Sequence, residues 1–213
     1  MAAPTPPTIV NVGYRSTNFW VVSAGRSRLL VDLGWPGMVA PLLANLERKG
    51  IPLGEVRYGL ATHYHIDHAG AAQDLKQRGM RLVVTEEQVA AIPMMKRWTK
   101  PADRYTELTT HDNVVIACSD SREFLAKLGL AGEIVHTPGH SDDSVSLVLD
   151  NGSAFTGDLT SETMIAEEDP DVVARSWQSL RDRGVTTIYG GHGPSRPIPP
   201  PQPRGSVFPD VVS

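Results

Sequence analysis

Thiols are nearly absent: the 213 residues include one cysteine, Cys118. An internal disulfide is therefore excluded, and any metal site is left to imidazole and carboxylate ligands. Cys118 itself lies in the β-like apolar run Asn113–Cys118 and is expected to be a packed core residue. Long hydrophobic runs are also missing. No stretch of 18 apolar residues occurs, so no transmembrane helix is expected. The segment Met1–Thr8 has neither the basic nor the apolar region of a signal peptide, which makes a cytoplasmic protein the expectation. A strong excess of one charge sign is lacking too. With 20 Lys and Arg against 24 Asp and Glu, the net charge is −4, which argues against a nucleic-acid or anionic-membrane partner and leaves a small molecule. The length suits one large domain or a compact pair of halves with a sizeable core.

What is present is concentrated. His63-Tyr64-His65-Ile66-Asp67-His68 places three imidazoles and a carboxylate in six residues of a chain with only seven histidines. Neutral imidazole and carboxylate are the usual ligands of first-row metals where thiols are missing. The preceding run Arg57–Thr62 reads as a buried strand, and Ala69–Arg78 reads as a helix stopped by Gly79. The motif is thus expected on a strand-to-helix loop, where His63 and His65 share a face and Asp67 and His68 fold back towards them.

Three further turns repeat this setting. His140 follows Thr137-Pro138-Gly139, Asp158 follows Thr156-Gly157, and His192 follows Gly190-Gly191. Each comes after a β-like run and beside glycine, which permits close backbone approach. His111 and His136 lack this setting and read as non-ligands, with His136 a candidate to support a ligand from behind.

HxHxDH, TPGH, TGD and GHG in this order resemble the metallo-β-lactamase-fold hydrolase superfamily, in particular its glyoxalase II and lactonase-like branch. The resemblance runs from the first strand to about Pro194 and matches every ligand position. It implies two divalent metal ions, zinc first and iron or manganese as alternatives. His63, His65 and His140 would bind one ion, Asp67, His68 and His192 the other, and Asp158 would bridge them. It further implies a metal-bridging hydroxide that cleaves a small-molecule ester, thioester or lactone, with Asp67 as a catalytic group that orients the nucleophile and moves a proton. Asp32, at the end of Arg28–Asp32, is the expected hydrogen-bond partner behind a ligand histidine. β-Lactam hydrolysis, a phosphodiesterase and a mononuclear-iron sulfur dioxygenase are the alternatives. A flavodiiron-type role is disfavoured because His65 stands where that group has an acid.

The fold so implied is α/β, a four-layer αββα sandwich of two mixed sheets flanked by helices. The residues alone predict strands at Thr8–Val12, Asn18–Ser23, Arg28–Asp32, Arg81–Val84, Glu133–His136, Ser144–Leu149, Ser153–Thr156 and Thr186–Tyr189, with tight turns at Gly13 and Gly25. They predict helices at Met38–Lys49, Arg122–Leu128 and Asp171–Arg183, stopped by Gly50, Gly129 and Gly184. Residues 1–194 would form a single domain, and 195–213 a Pro-rich tail lying extended or disordered. Specificity is expected from two segments, Gly34–Gly37 with Trp35 and the aperiodic Ile92–Tyr105. Met94, Met95, Trp98 and Tyr105 would form an apolar wall there, and Lys96, Arg97, Lys100 and Arg104 would attract an anionic group.

Overall fold

The computed structural model describes residues 6–24, 27–163 and 169–201. Strands β1 (Thr8–Asn11), β2 (Trp20–Ala24) and β3 (Ser27–Val31) run as an antiparallel meander. The sheet continues in parallel through β4 (Val56–Leu60), β5 (Arg81–Thr85) and β6 (Val114–Ile116). The second sheet has the order β11-β10-β9-β8-β7. It contains β7 (Gly132–His136), β8 (Val145–Leu149), β9 (Ser153–Gly157), β10 (Thr187–Gly190) and β11 (Arg196–Pro197), with β9 and β10 parallel. The helices are α1 (Val39–Arg48), α2 (Ile66–Ala69), α3 (Ala72–Lys76), α4 (Ser121–Lys127) and α5 (Pro170–Asp182). None is long and apolar enough to cross a membrane.

Strand alternation builds the layers. On one face of the first sheet, Val21, Leu30 and Leu82 meet Leu42 and Leu46 of α1 and Leu75 of α3. On the other face, Val22, Leu29 and Val83 meet Val145, Leu147 and Phe155 of the second sheet. Val148, Ala154 and Ile188 leave the second sheet outwards and pack on Val173, Trp177 and Leu180 of α5. Three apolar seams therefore separate four layers, giving the αββα sandwich. Helix α5 is started by Asp169, whose carboxylate accepts from Asp171 N at 2.9 Å, with Pro170 at its first position. It is stopped by Gly184 at φ 71°.

Several local expectations are corrected. The helix expected over Ala69–Arg78 is two pieces, because Pro36 presses on the chain at Gly70, where a Cβ would lie 2.3 Å from Pro36 Cδ. Helix α2 begins at Ile66, so Asp67 and His68 sit on a helical turn and not on a loop. The stretch Ile92–Tyr105 is not structureless. Ile92–Trp98 and Pro101–Asp103 are 3-10 turns, anchored by buried Ile92 and Met95. Cys118 lies past the end of β6, half-buried at the edge of the inter-sheet core, with Sγ 3.4 Å from Glu87 Oε2. Burial and the Glu87 carboxylate push its thiol up to about 12. The turn expected at Gly25 and the residues 202–213 of the tail lie outside the described residues. Of the described part of the tail, Ile188 and Thr187 pair with Arg196 and Pro197, and Ile198 packs against the α5 core.

Candidate metal centre

Every motif side chain hangs from the carboxyl end of a strand. Asp32 follows β3, His63 to His68 follow β4, His140 follows β7, Asp158 follows β9 and His192 follows β10. The two sheets bring these ends together, and Val145 N donates to Thr62 O at 2.8 Å across the join. The side chains gather in two groups. His63, His65 and His140 form one, and Asp67, His68, Asp158 and His192 form the other, each with its ligand atoms within 4.8 Å of one another.

In the first group His65 Nδ1 lies 3.1 Å from His63 Nε2 and 3.0 Å from His140 Nε2. Ligand nitrogens tetrahedrally arranged at zinc distances stand about 3.3 Å apart, so the spacing suits a metal. In the second group Asp158 Oδ2 lies 3.3 Å from His68 Nε2 and 3.2 Å from His192 Nε2, and Asp67 Oδ2 lies 3.4 Å from each of these nitrogens. Asp158 Oδ2 also comes within 3.9 Å of His140 Nε2, which links the groups. Asp158 Oδ1 is buried with no hydrogen-bond partner, a costly arrangement that a bound cation relieves, and buried His68 Nε2 faces only the Asp67 and Asp158 carboxylates. The all-nitrogen and oxygen donor set therefore fits one or two first-row metal ions.

The electrostatics agree. Burial, followed by the neighbouring His68, His65 and His140, holds His63 well below the usual imidazole range and keeps its lone pair free. Burial works against a charge on His68, but Asp32, Asp158 and Asp67 outweigh it and raise His68 well above its ordinary value. Burial is likewise the largest single effect on Asp67 and raises it, but His68, a backbone hydrogen bond and His192 together lower it to about 2. Asp158 is lowered for the same reason, with His192 and His140 assisting. Both carboxylates are ionised at neutral pH, and the site favours positive charge at its centre.

The groups behind the ligands are specific. Asp32 accepts from Thr62 N at 2.8 Å and Thr62 Oγ1 at 2.9 Å, and its other oxygen faces His68 Nδ1 at 2.9 Å. His192 Nδ1 faces Ser16 O at 2.7 Å, and Thr17 donates to Asp67 Oδ2 at 3.3 Å. Asn18 Nδ2 donates to Gly190 O and Gly193 O, holding the His192 turn. Asp143 accepts from Tyr64 N at 2.7 Å and so fixes the backbone between His63 and His65. Sequence reasoning missed Ser16, Thr17, Asn18 and Asp143. They are ordinary polar residues, and nothing in their spacing ties them to the motif.

The other expected residues are dispersed. Trp35 stands beside the second group, its Nε1 donating to Thr17 Oγ1 at 3.1 Å. Met95 is fully buried in the helix-covered core, and its side chain is not available to a ligand. Tyr105 packs against that same core, its hydroxyl accepting from Leu108 N. Met94 and Trp98 are exposed. The expected apolar wall is therefore split between core and surface, because the 3-10 turns point successive side chains in different directions. Lys96 is engaged by Glu107 at 2.7 Å. His111 pairs with Asp112, and His136 Nε2 faces Asp142 O, so neither faces the two groups.

Comparison with known proteins matches this architecture. A curated atrochrysone carboxyl ACP thioesterase of Claviceps purpurea is 29% identical over 187 residues, covering 84% of this chain and 52% of that protein. A probable metallo-hydrolase of Methanocaldococcus jannaschii is 27% identical over 191 residues, covering 85% of this chain and 89% of that protein. The chain spans about half the length of several curated relatives it matches. The crystal structure of a metallo-beta-lactamase family protein from Thermus thermophilus superposes with a TM-score of 0.68 at 20% identity, covering 90% of this chain and 75% of that one, a likeness of fold. The family model described as the metallo-beta-lactamase superfamily matches residues 12–192, which include both ligand groups and every strand that carries them. The chain belongs to the metallo-beta-lactamase superfamily.

Proposed function

We propose that this protein is a hydrolase that uses two divalent ions, zinc before iron or manganese, to cleave a small-molecule ester, thioester or lactone. In this reading His63, His65 and His140 hold one ion, Asp67, His68 and His192 hold the other, and Asp158 lies between them. The observation that carries it is the reach of Asp158 Oδ2, within 3.2–3.9 Å of His192, His68 and His140, one nitrogen group on each side. When bound, the ions supply a water of lowered pKa and a Lewis acid for the carbonyl oxygen.

The chain's own groups do the rest. Asp67, kept ionised, offers an acceptor that orients the attacking water and can carry its proton. Thr17 holds Asp67 Oδ2 in place. Asp32 fixes the tautomer of His68 so that Nε2 faces the centre. The His192 side chain is 41% exposed and those of His65 and His140 are part-exposed, so substrate reaches the centre from this side. The likeness to an acyl-carrier-protein thioesterase supports an acyl thioester within the class.

The test is metal analysis followed by a hydrolysis panel of thioesters, lactones, phosphodiesters and β-lactams. Two non-redox ions per chain and turnover of thioester or lactone are expected, and His65→Ala or Asp158→Ala should abolish turnover and lower metal content. Preferred turnover of phosphodiesters or β-lactams would overturn the substrate class. One iron per chain with oxygen uptake on a persulfide would replace hydrolysis by sulfur dioxygenation.

A further inference from the structure

One charged side chain at the mouth of the centre has no part in the ligand set. Arg15 is exposed, and its guanidinium lies 5.0 Å from the centre of the Trp35 ring. The Trp35 indole in turn donates to Thr17, which donates to Asp67. Arg15 is therefore one indole and one hydroxyl away from the second ligand group. Its neighbours in sequence are pinned on both sides, Tyr14 by its hydroxyl to Met38 O at 2.9 Å and Ser16 by His192 at 2.7 Å.

Two features distinguish it from a solvated surface arginine. Its backbone is left-handed at φ 57°, a conformation in which a Cβ crowds the following carbonyl oxygen. Strain of this kind persists where surrounding contacts over-determine it, and it clusters at functional sites. Among the described residues no carboxylate lies within ion-pair distance of Arg15. Arg104 borders the same loop. It too is exposed and left-handed at φ 53°, and its Cβ lies 2.9 Å from where a Cβ of Gly37 would be. The loop Trp35-Pro36-Gly37 is thus flanked by two arginines, and Pro36 rests on Gly70 behind the helix that carries Asp67 and His68.

We propose that Arg15, held over Trp35, is the anchor for an oxyanion, carboxylate or phosphate, on the substrate end remote from the bond cleaved. This rests on the hydrolase reading above and narrows it to anionic substrates. A guanidinium presents a planar fork to either oxyanion, and stacking on the indole limits the side-chain freedom lost on binding. The anion would be gripped while the electrophilic carbon is presented to the metal side of Thr17 and Asp67.

The experiment has two arms. Trp35 emission is followed on titration of the metal-loaded protein with glutarate and, separately, with inorganic phosphate. The variant is Arg15→Asn, because asparagine tolerates the left-handed backbone and removes the charge. A saturable change in the wild type, lost in Arg15→Asn and absent in a Trp35→Phe control, is expected, and the tighter ligand identifies the oxyanion. In the second arm, kcat/KM is compared for an aryl acetate and the matching aryl hemiglutarate. Arg15→Asn should lower the anionic-to-neutral ratio about tenfold, and Arg15→Lys should restore part of it. No saturable emission change, or an unaltered ratio, overturns the anchor while leaving hydrolysis standing. Turnover of neither ester with an intact emission response overturns the hydrolase reading and not the anchor.

Discussion

Asp32 shows how much one side chain can carry. It is 1% exposed, and a carboxylate buried without partners would cost several kcal/mol. Its two oxygens are instead shared among Thr62 N, Thr62 Oγ1 and His68 Nδ1, and its backbone accepts a left-handed φ of 63° to reach them. Asparagine keeps the shape but carries an amide donor, so either the Thr62 contacts or the His68 contact becomes donor against donor. Asp32→Asn should weaken binding of the second ion about 10- to 100-fold, as expected for the partner behind a ligand histidine, read by competition with a chelating dye. Unchanged affinity would remove Asp32 from that role. Asp32 was legible in the sequence because it ends a strand before Gly34. His63, His65, Asp67 and His68 were legible because imidazole-rich spacing has few other uses, and His140, Asp158 and His192 because each follows a β-like run beside glycine. Asn18 was not, since its partner Gly190 lies 172 residues away and only the folded chain joins them.

At the scale of elements, the strands were easy to read and the breaks were not. Alternation and β-branched runs mark β2, β3, β5 and β8 directly, since each faces two apolar layers, the inter-sheet core on one side and a helix-covered core on the other. The interruption between α2 and α3 depends on Pro36, more than 30 residues upstream, and no local signal announces it. The turn after β10 is a comparable tertiary constraint. Gly191 has no left-handed requirement, yet a Cβ on it would lie 2.4 Å from Asp158 Oδ1 and 2.5 Å from His68 Cε1. Glycine is needed there for space inside the ligand cluster. Gly191→Ala should therefore displace Asp158 or His68 and lower metal content, with far-UV circular dichroism unchanged. Gly54 has no positive φ, and a methyl group added to it would meet nothing within 4 Å, so its alanine variant serves as the control that should keep its metal. Equal metal loading in both variants would show that the turn after β10 can yield without disturbing the ligands.

For the whole molecule, the important fact is that neither ligand group belongs to one sheet. His63 and His65 come from the first sheet and His140 from the second. Asp67 and His68 come from the first, and Asp158 and His192 from the second. Without a cation, the join between sheets at this end rests on backbone contacts such as Val145 N to Thr62 O and Asn18 N to Gly191 O and on imidazole–carboxylate pairs such as His68 with Asp158, while Asp158 Oδ1 has no hydrogen-bond partner. An ion that binds only the folded state at 100 times its Kd adds about 2.7 kcal/mol to stability. In a chain of this size each kcal/mol moves Tm by about 2–4 °C. Stripping one such ion should then lower Tm by roughly 5–11 °C, and stripping two by about twice that, in calorimetry of chelator-treated against reloaded protein. If the two ions bridge the sheets, their removal should also raise amide hydrogen exchange in β8 and β9 together with β4, because a staple joining two layers protects both. A loss of protection confined to the loops, with Tm unmoved, would mean that the sandwich holds itself and the ions serve chemistry alone.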